Sequence, residues 1–210
     1  MKFKNFAWIS LFFGSLWGIS EITVGYALHY FQVPLAGFIM FPIGYYFLRQ
    51  TYRQTNDIGS IFLAGLVTAS IKLTNFYFPV ILPIRIINPA IAIMLETVVV
   101  LAFFGYSAKR QMKFAGILSM CVLWRVAFIA VQAFELATGF GPSLSNYTLS
   151  YSFQFFILES LINAAIIYFV LHGRKFPSFN VLKPDRLNYG LKVTSVALYA
   201  AAICIQFALI

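Results

Sequence analysis

Seven stretches of apolar residues, each long enough to cross a lipid bilayer, limit the possible folds of this chain more than any other feature. A spanning helix needs about 20 mostly apolar residues, and the segments that qualify are 6–30, 33–49, 59–79, 86–107, 113–137, 150–172 and 190–210. Only 10% of the 210 residues are charged, which leaves too little polar surface for a soluble domain. The sequence therefore predicts an all-α polytopic membrane helical bundle of about seven transmembrane helices.

Basic residues are concentrated on one side of this predicted topology. The side that begins at the N-terminus carries Lys2, Lys4, Arg49, Arg53, Lys109, Arg110, Lys113, Arg174, Lys175, Lys183, Arg186 and Lys192. The opposite side has Arg85 as its only full positive charge. Because cytoplasmic loops carry the excess of Lys and Arg, we expect a cytoplasmic N-terminus in a multi-pass protein of the cell membrane. Basic residues dispersed over short loops also argue against a nucleic-acid partner.

Residues 1–210 are predicted to form a single transmembrane domain. It comprises a six-helix unit over 1–173, a cytoplasmic loop over 174–189 and an additional C-terminal helix over 190–210. The outer connection from Phe78 to Arg85 is unusually apolar for a loop. We expect it to pack into the mouth of the bundle, either as a lid or as a structural plug.

Several ionisable residues fall within the predicted spans, where charge is expensive and usually marks function. Glu21, Glu96 and Glu159 lie roughly 13–15 Å from the outer ends of their helices at about 1.5 Å per residue. Helical spacing adds cations and amides to the same faces. The set predicted to line a polar pocket in the outer half of the bundle is Glu21, Lys72, Asn75, Arg85, Asn88, Glu96, Arg125, Glu159 and Asn163.

The same polar set has a second interpretation, in which buried ion pairs only fix the register of the helices. Trp17 and Trp124 are likewise open to two interpretations, stacking on a planar ligand or packing between helices. The first helix also carries small residues four apart, Ser10, Gly14 and Gly18. Such a stripe lets another helix approach closely, and that helix belongs either to this chain or to another subunit.

Motifs for catalysis or metal binding are absent from the sequence. No nucleophile–His–carboxylate arrangement, phosphate loop or metal-ligand spacing occurs, and His29 and His172 fall at opposite membrane faces. We therefore expect a protein that is not an enzyme and that has no cofactor and no metal.

A chain of this length, with a six-helix apolar unit and small residues four apart on its first helix, resembles the substrate-binding S components of energy-coupling factor (ECF) transporters. The resemblance covers residues 1–173, and the run Gly14-Ser15-Leu16-Trp17-Gly18-Ile19-Ser20-Glu21 is similar to that in bacterial relatives of the group. It implies an outward-facing pocket for a vitamin or related micronutrient, with Phe78 to Arg85 as a gating loop. It also implies that Ser10, Gly14 and Gly18 contact a membrane coupling subunit driven by ATPases.

These observations predict a membrane-embedded substrate-binding subunit for uptake of a small, partly charged nutrient such as a vitamin. Its expected partners are the small-molecule substrate, membrane lipid, a membrane coupling subunit and ATPases, and not nucleic acid. Two alternatives stay open. One is a self-sufficient proton-coupled secondary transporter, because carboxylates in the membrane can carry protons. The other is an intramembrane enzyme acting on a lipid or a peptide.

Overall fold

The structure is a computed structural model that describes residues 2–31, 37–78, 83–107, 113–139, 149–172 and 189–209, and every element in those ranges is helical. The first five helices are α1 (Lys2–Tyr30), α2 (Gly37–Thr55), α3 (Ile58–Leu73), α4 (Pro83–Ser107) and α5 (Phe114–Ala137). A 3₁₀ turn, Thr74–Tyr77, extends α3. The sixth helix, α6, has three consecutive parts: Leu149–Phe153, a π turn at Gln154–Leu158, and Glu159–His172. The last helix, α7, is Gly190–Ala208.

Six of these helices, all except α2, are long and apolar enough to cross a membrane, counting only the described residues. The protein is thus a polytopic membrane helical bundle, as predicted. The predicted end of the second helix at residue 49 is wrong, since α2 continues to Thr55 and contains Arg49 and Arg53. Arg49 does not end the helix because its Nη1 donates to the Val170 carbonyl at 3.1 Å, near the end of α6.

The first six helices close into a ring in which each helix packs against its neighbours. Going round the ring, α1 contacts α2, α2 contacts α6, α6 contacts α5, α5 contacts α4, α4 contacts α3, and α3 returns to α1. α2 also touches α3 and α4, so it leans into the ring. Its side chains Phe41, Tyr45 and Leu48 are buried in the main apolar core together with Trp17 and Trp124.

The small-residue stripe of α1 is filled by α3 of the same chain. Ser10 Oγ donates to the Ser60 carbonyl at 3.0 Å, and Thr68 Oγ1 donates to the Gly14 carbonyl at 2.8 Å. A Cβ added to Gly14 would lie 2.6 Å from the Ala64 carbonyl oxygen. The stripe of Ser10, Gly14 and Gly18 is therefore an internal helix contact, and the expectation that it docks a coupling subunit is corrected: the backbones are too close for another chain to enter.

The last helix, α7, lies outside the ring and packs along α1 and, less extensively, α3. Near its start Ser195 Oγ donates to the Trp8 carbonyl at 3.0 Å. Further along, the Tyr199 hydroxyl lies 3.0 Å from Ser70 Oγ, and Ala202 is fully buried. Contacts over its whole length fix the position of this helix relative to the six-helix ring.

Two predicted segments fall largely outside the described residues. In the predicted lid or plug from Phe78 to Arg85, residues 79–82 are outside the described ranges, and Pro83 to Arg85 form the first turn of α4. Of the predicted cytoplasmic loop 174–189, only Tyr189 is described.

Candidate functional site

Five helix ends enclose a cavity on the side predicted to face outward. The C-terminal ends of α1, α3 and α7 meet the N-terminal ends of α2 and α4 there. The cavity volume is about 290 Å³. Its lining residues are Glu21, Ile22, Gly25, Tyr26, Met40, Lys72, Asn75, Arg85, Ile86, Pro89, Gln206 and Leu209.

Glu21 is the carboxylate of this cavity, and its side chain is held by Trp17. The Trp17 Nε1 donates to Glu21 Oε1 at 3.1 Å, one helical turn away on α1. Trp17 is fully buried, and a Cβ added to Gly44 of α2 would lie 2.7 Å from its ring. Trp17 thus packs between α1 and α2 and orients Glu21, and it does not line the cavity.

Lys72 and Glu21 share the cavity wall without forming a direct ion pair in the described part of the chain. Lys72 Nζ donates to the backbone carbonyl of Glu21, at a long 3.4 Å, and the two charges are close enough to attract each other. Arg85 adds a second cation at the exposed rim. Both signs of charge are therefore available to a molecule inside the cavity.

Two amide side chains complete the polar part of the wall. Asn75 is on the 3₁₀ turn after α3, and Gln206 is on α7. Asn75 Oδ1 and Gln206 Oε1 are buried, and neither has a hydrogen-bond donor among the described residues. A buried carbonyl oxygen without a donor costs about 1–3 kcal/mol, and a bound molecule with N–H or O–H groups can supply the donor that each of these two oxygens lacks.

Arg125 and Glu159 form a second polar cluster, outside the lining of the cavity. Arg125 Nη2 lies 3.2 Å from Glu159 Oε2, and Arg125 Nη1 donates to the Cys121 carbonyl at 2.7 Å. With the Asn163 amide oriented to satisfy its neighbours, its oxygen accepts from Arg125 Nη2 at 3.0 Å and its nitrogen donates to the Phe38 carbonyl at 2.7 Å. These bonds tie α5 to α6 and α6 to α2.

Aromatic rings close this second cluster from solvent. The Arg125 guanidinium lies 4.6 Å from the ring centre of Trp124 and 5.3 Å from that of Phe155, which belongs to the π turn of α6. Arg125 is 0% exposed and Glu159 5%. Trp124 stacks near Phe41 with ring centres 5.5 Å apart, so it packs within the core. The cluster fits the second interpretation of the sequence, in which ion pairs fix helix register.

Glu96 and Asn88 occupy two further positions on α4. Glu96 is buried, and it lies within electrostatic range of both Glu21 and Arg125, so it stands between the cavity and the second cluster. With the Asn88 amide oriented to satisfy its neighbours, its nitrogen donates to both carboxylate oxygens of Glu135 at 3.2 Å. It therefore joins α4 to α5.

The structure thus divides the residues predicted for a single pocket. Glu21, Lys72, Asn75 and Arg85 line the cavity together. Glu96, Asn88 and the Arg125 cluster lie elsewhere. Sequence reasoning missed Gln206, although one glutamine near the outer end of an otherwise apolar helix was a signal for it. Among the described residues, no group of three or more His, Cys, Asp and Glu converges as metal ligands would.

Comparison of the chain with protein-family models, with curated protein sequences and with solved structures finds no match. Any statement about function therefore depends on the chemistry of the cavity.

Proposed function

We propose that this protein is a membrane-embedded binding subunit for the uptake of a small, partly charged nutrient. The nutrient would occupy the cavity between α1, α2, α3, α4 and α7. The observation that carries the proposal is that Glu21 and Lys72 face one cavity without pairing directly. Charged groups at membrane depth are retained where they serve a ligand or ion pathway. A molecule with groups of both signs would satisfy them.

The dimensions of the cavity support a small solute. A volume of about 290 Å³ lies at the lower limit of pockets that bind small molecules, which is about 300 Å³. Ile22, Ile86 and Leu209 provide apolar wall next to the charges, and a few fixed polar groups in a mostly apolar pocket are the usual basis of specificity.

Transport would require an energy source in addition to binding. The resemblance to ECF S components leads us to propose a membrane coupling subunit with ATPases as the partner. Since α3 fills the small-residue stripe of α1, that partner would bind another surface of the bundle.

Glu96 favours a second candidate, a self-sufficient proton-coupled transporter. Its carboxyl group is buried and has no ion-pair partner within the described helices. The carboxyl group of Glu21 is close enough to interact with it electrostatically. A carboxyl group buried in the membrane can carry a proton across it. Uptake into vesicles that contain no ATPase, driven by a pH gradient and abolished by Glu96→Gln, would favour this candidate over the binding subunit.

The binding proposal is tested with purified protein in detergent. A thermal-shift screen against vitamins, amino acids and other small charged metabolites should find at least one compound that raises the Tm. Lys72→Met should abolish that rise, because it removes a charge from the cavity, whereas Lys113→Met, at an exposed residue before α5, should retain it. If no compound stabilises the wild type, or if Lys72→Met responds like the wild type, the proposal is refuted.

A further inference from the structure

We propose that the cavity selects a small zwitterion with an N–H-bearing amino group and a carboxylate, and that α7 takes part in this selection through Gln206. The inference rests on the proposed binding function and specifies its substrate class. It also gives the last helix a role in the site, although that helix lies outside the six-helix ring.

The cavity wall contains both hydrogen-bond donors and hydrogen-bond acceptors, which supports the proposal that a zwitterion binds there. Lys72 and Arg85 can only donate, and they would take the carboxylate of the solute. Glu21, Asn75 and Gln206 offer oxygens, and two of these, Asn75 Oδ1 and Gln206 Oε1, have no donor in the described structure. An ammonium group brings three N–H donors, which can serve these two oxygens and Glu21.

Gln206 is held in the wall by contacts that do not involve its own amide. Ala202, one turn earlier on α7, is fully buried in a cluster with Ile22 and Ile71. Tyr199 is joined to Ser70 at 3.0 Å. Gln206 itself is 6% exposed and lines the cavity, so its amide is held away from the outer surface of the bundle. A buried, unpartnered amide in a fixed position beside a cavity is suited to recognising a ligand.

The apolar sequence around Gln206 also supports a role for its amide in binding. α7 is apolar after Lys192 apart from hydroxyl side chains and this glutamine. Burying an amide in such a helix is costly unless the amide forms a hydrogen bond, so its position next to a cavity indicates a polar partner there. The C-terminal end of α7 places two residues in the cavity wall, Gln206 and the apolar Leu209 that follows the helix. Gln206 is thus the polar one of the two.

The test is binding of matched compounds to the full-length protein in detergent, measured by isothermal titration calorimetry. The compounds are α- and ω-amino acids of two to six carbons, the N-trimethyl derivative of each, and the carboxamide of each. We expect at least one amino acid to bind, with its N-trimethyl derivative binding at least tenfold more weakly because it has no N–H. The carboxamide should also bind at least tenfold more weakly, because it lacks the negative charge that Lys72 and Arg85 attract.

Variants at Gln206 separate the role of α7 from that of the rest of the cavity. Gln206→Leu should weaken binding of the amino acid about ten- to 150-fold, as expected for loss of one hydrogen bond to a charged group. Gln206→Glu, which keeps the acceptor oxygens and loses the N–H donors, should bind at least as well as the wild type. Gln154→Leu, at an exposed glutamine of α6, is the matched control and should be unchanged.

Each failure has a distinct meaning. If an unrelated compound binds but no amino acid does, or if the N-trimethyl derivative binds equally well, the zwitterion inference is overturned and the binding function stands. If Gln206→Leu binds the amino acid like the wild type, α7 has no part in selection. If Gln206→Leu does not fold, the compound series and Gln206→Glu still decide the question. If no compound of any class binds, the proposed function fails as well.

Discussion

Breaking the Arg125–Glu159 ion pair should destabilise the protein far more when one partner is removed than when both are replaced. Both side chains are buried, at 0% and 5% exposure, so neither charge can be solvated when the other is lost. In Glu159→Gln the guanidinium keeps the Cys121 carbonyl at 2.7 Å and the Trp124 ring at 4.6 Å, but its counter-ion is gone. In Arg125→Met the carboxylate is left among apolar groups.

The expected magnitudes follow from this geometry. Removing one member of a buried pair costs about 3–5 kcal/mol, whereas replacing both by residues of similar volume is often nearly neutral. Arg125→Met also loses a cation–π contact worth about 2 kcal/mol when desolvated, so it should be the worse single variant. The double variant Arg125→Met/Glu159→Gln should lose less than either single one, so the coupling energy should exceed the larger single loss, which is more than about 3 kcal/mol.

The free energies of unfolding can be measured by SDS titration in detergent micelles, followed by tryptophan fluorescence. Asn88→Ala provides a comparison, because it removes a hydrogen bond to Glu135 at the half-buried outer rim and should cost about 1 kcal/mol. Additive losses at Arg125 and Glu159 would refute the assignment of a buried, mutually dependent pair. The assignment would also be refuted if a ligand bound the wild type but not Glu159→Gln, while the two proteins had the same free energy of unfolding.

Two further predictions concern helix packing. Gly14→Ala should lower the free energy of unfolding by about 1–3 kcal/mol through overpacking, because its Cβ would lie 2.6 Å from the Ala64 carbonyl oxygen. Gly116→Ala, with nothing within 4 Å of its Cβ, is the control in the same SDS titration, and equal effects would contradict the close α1–α3 contact. Tyr199→Phe should cost about 0.5–1.5 kcal/mol by removing the bond to Ser70, and adding Ser70→Ala should cause little further loss. Additive effects of the two would argue against that bond.

Much of the fold was predictable from the pattern of residues along the chain. Helices in a bilayer must satisfy their backbone hydrogen bonds internally, so a long apolar segment leaves few alternatives to a helix. The prediction failed at the C-terminal end of α2, which was placed at residue 49 although the helix continues to Thr55. A basic side chain can remain in a helix when a carbonyl of a neighbouring helix accepts its hydrogen bond, and that acceptor is 121 residues away in the chain.

The candidate site was predictable only in part, for the same reason. Spacing along a helix indicates that Lys72 and Asn75 lie near one face, and the cost of buried charge indicates that this face is turned inward. Neither the spacing nor the cost of buried charge indicates which of the inward-facing groups contact each other. Glu21 and Glu159 were assigned to one layer by depth, yet one lines the cavity and the other pairs with Arg125 on the far side of the ring.

Hydropathy along the chain was sufficient to specify a membrane helical bundle, because lipid imposes its requirements on each segment separately. Of the seven predicted spans, six correspond to described helices that are long and apolar enough to cross a membrane. The partners of the buried polar groups were specified only when the helices had packed. Gln206 lines the same cavity as Glu21 because α7 docks against α1 and α3, and the small residues of α1 form an internal contact because α3 packs directly against them. Such contacts join residues far apart in the chain, and no local pattern encodes them.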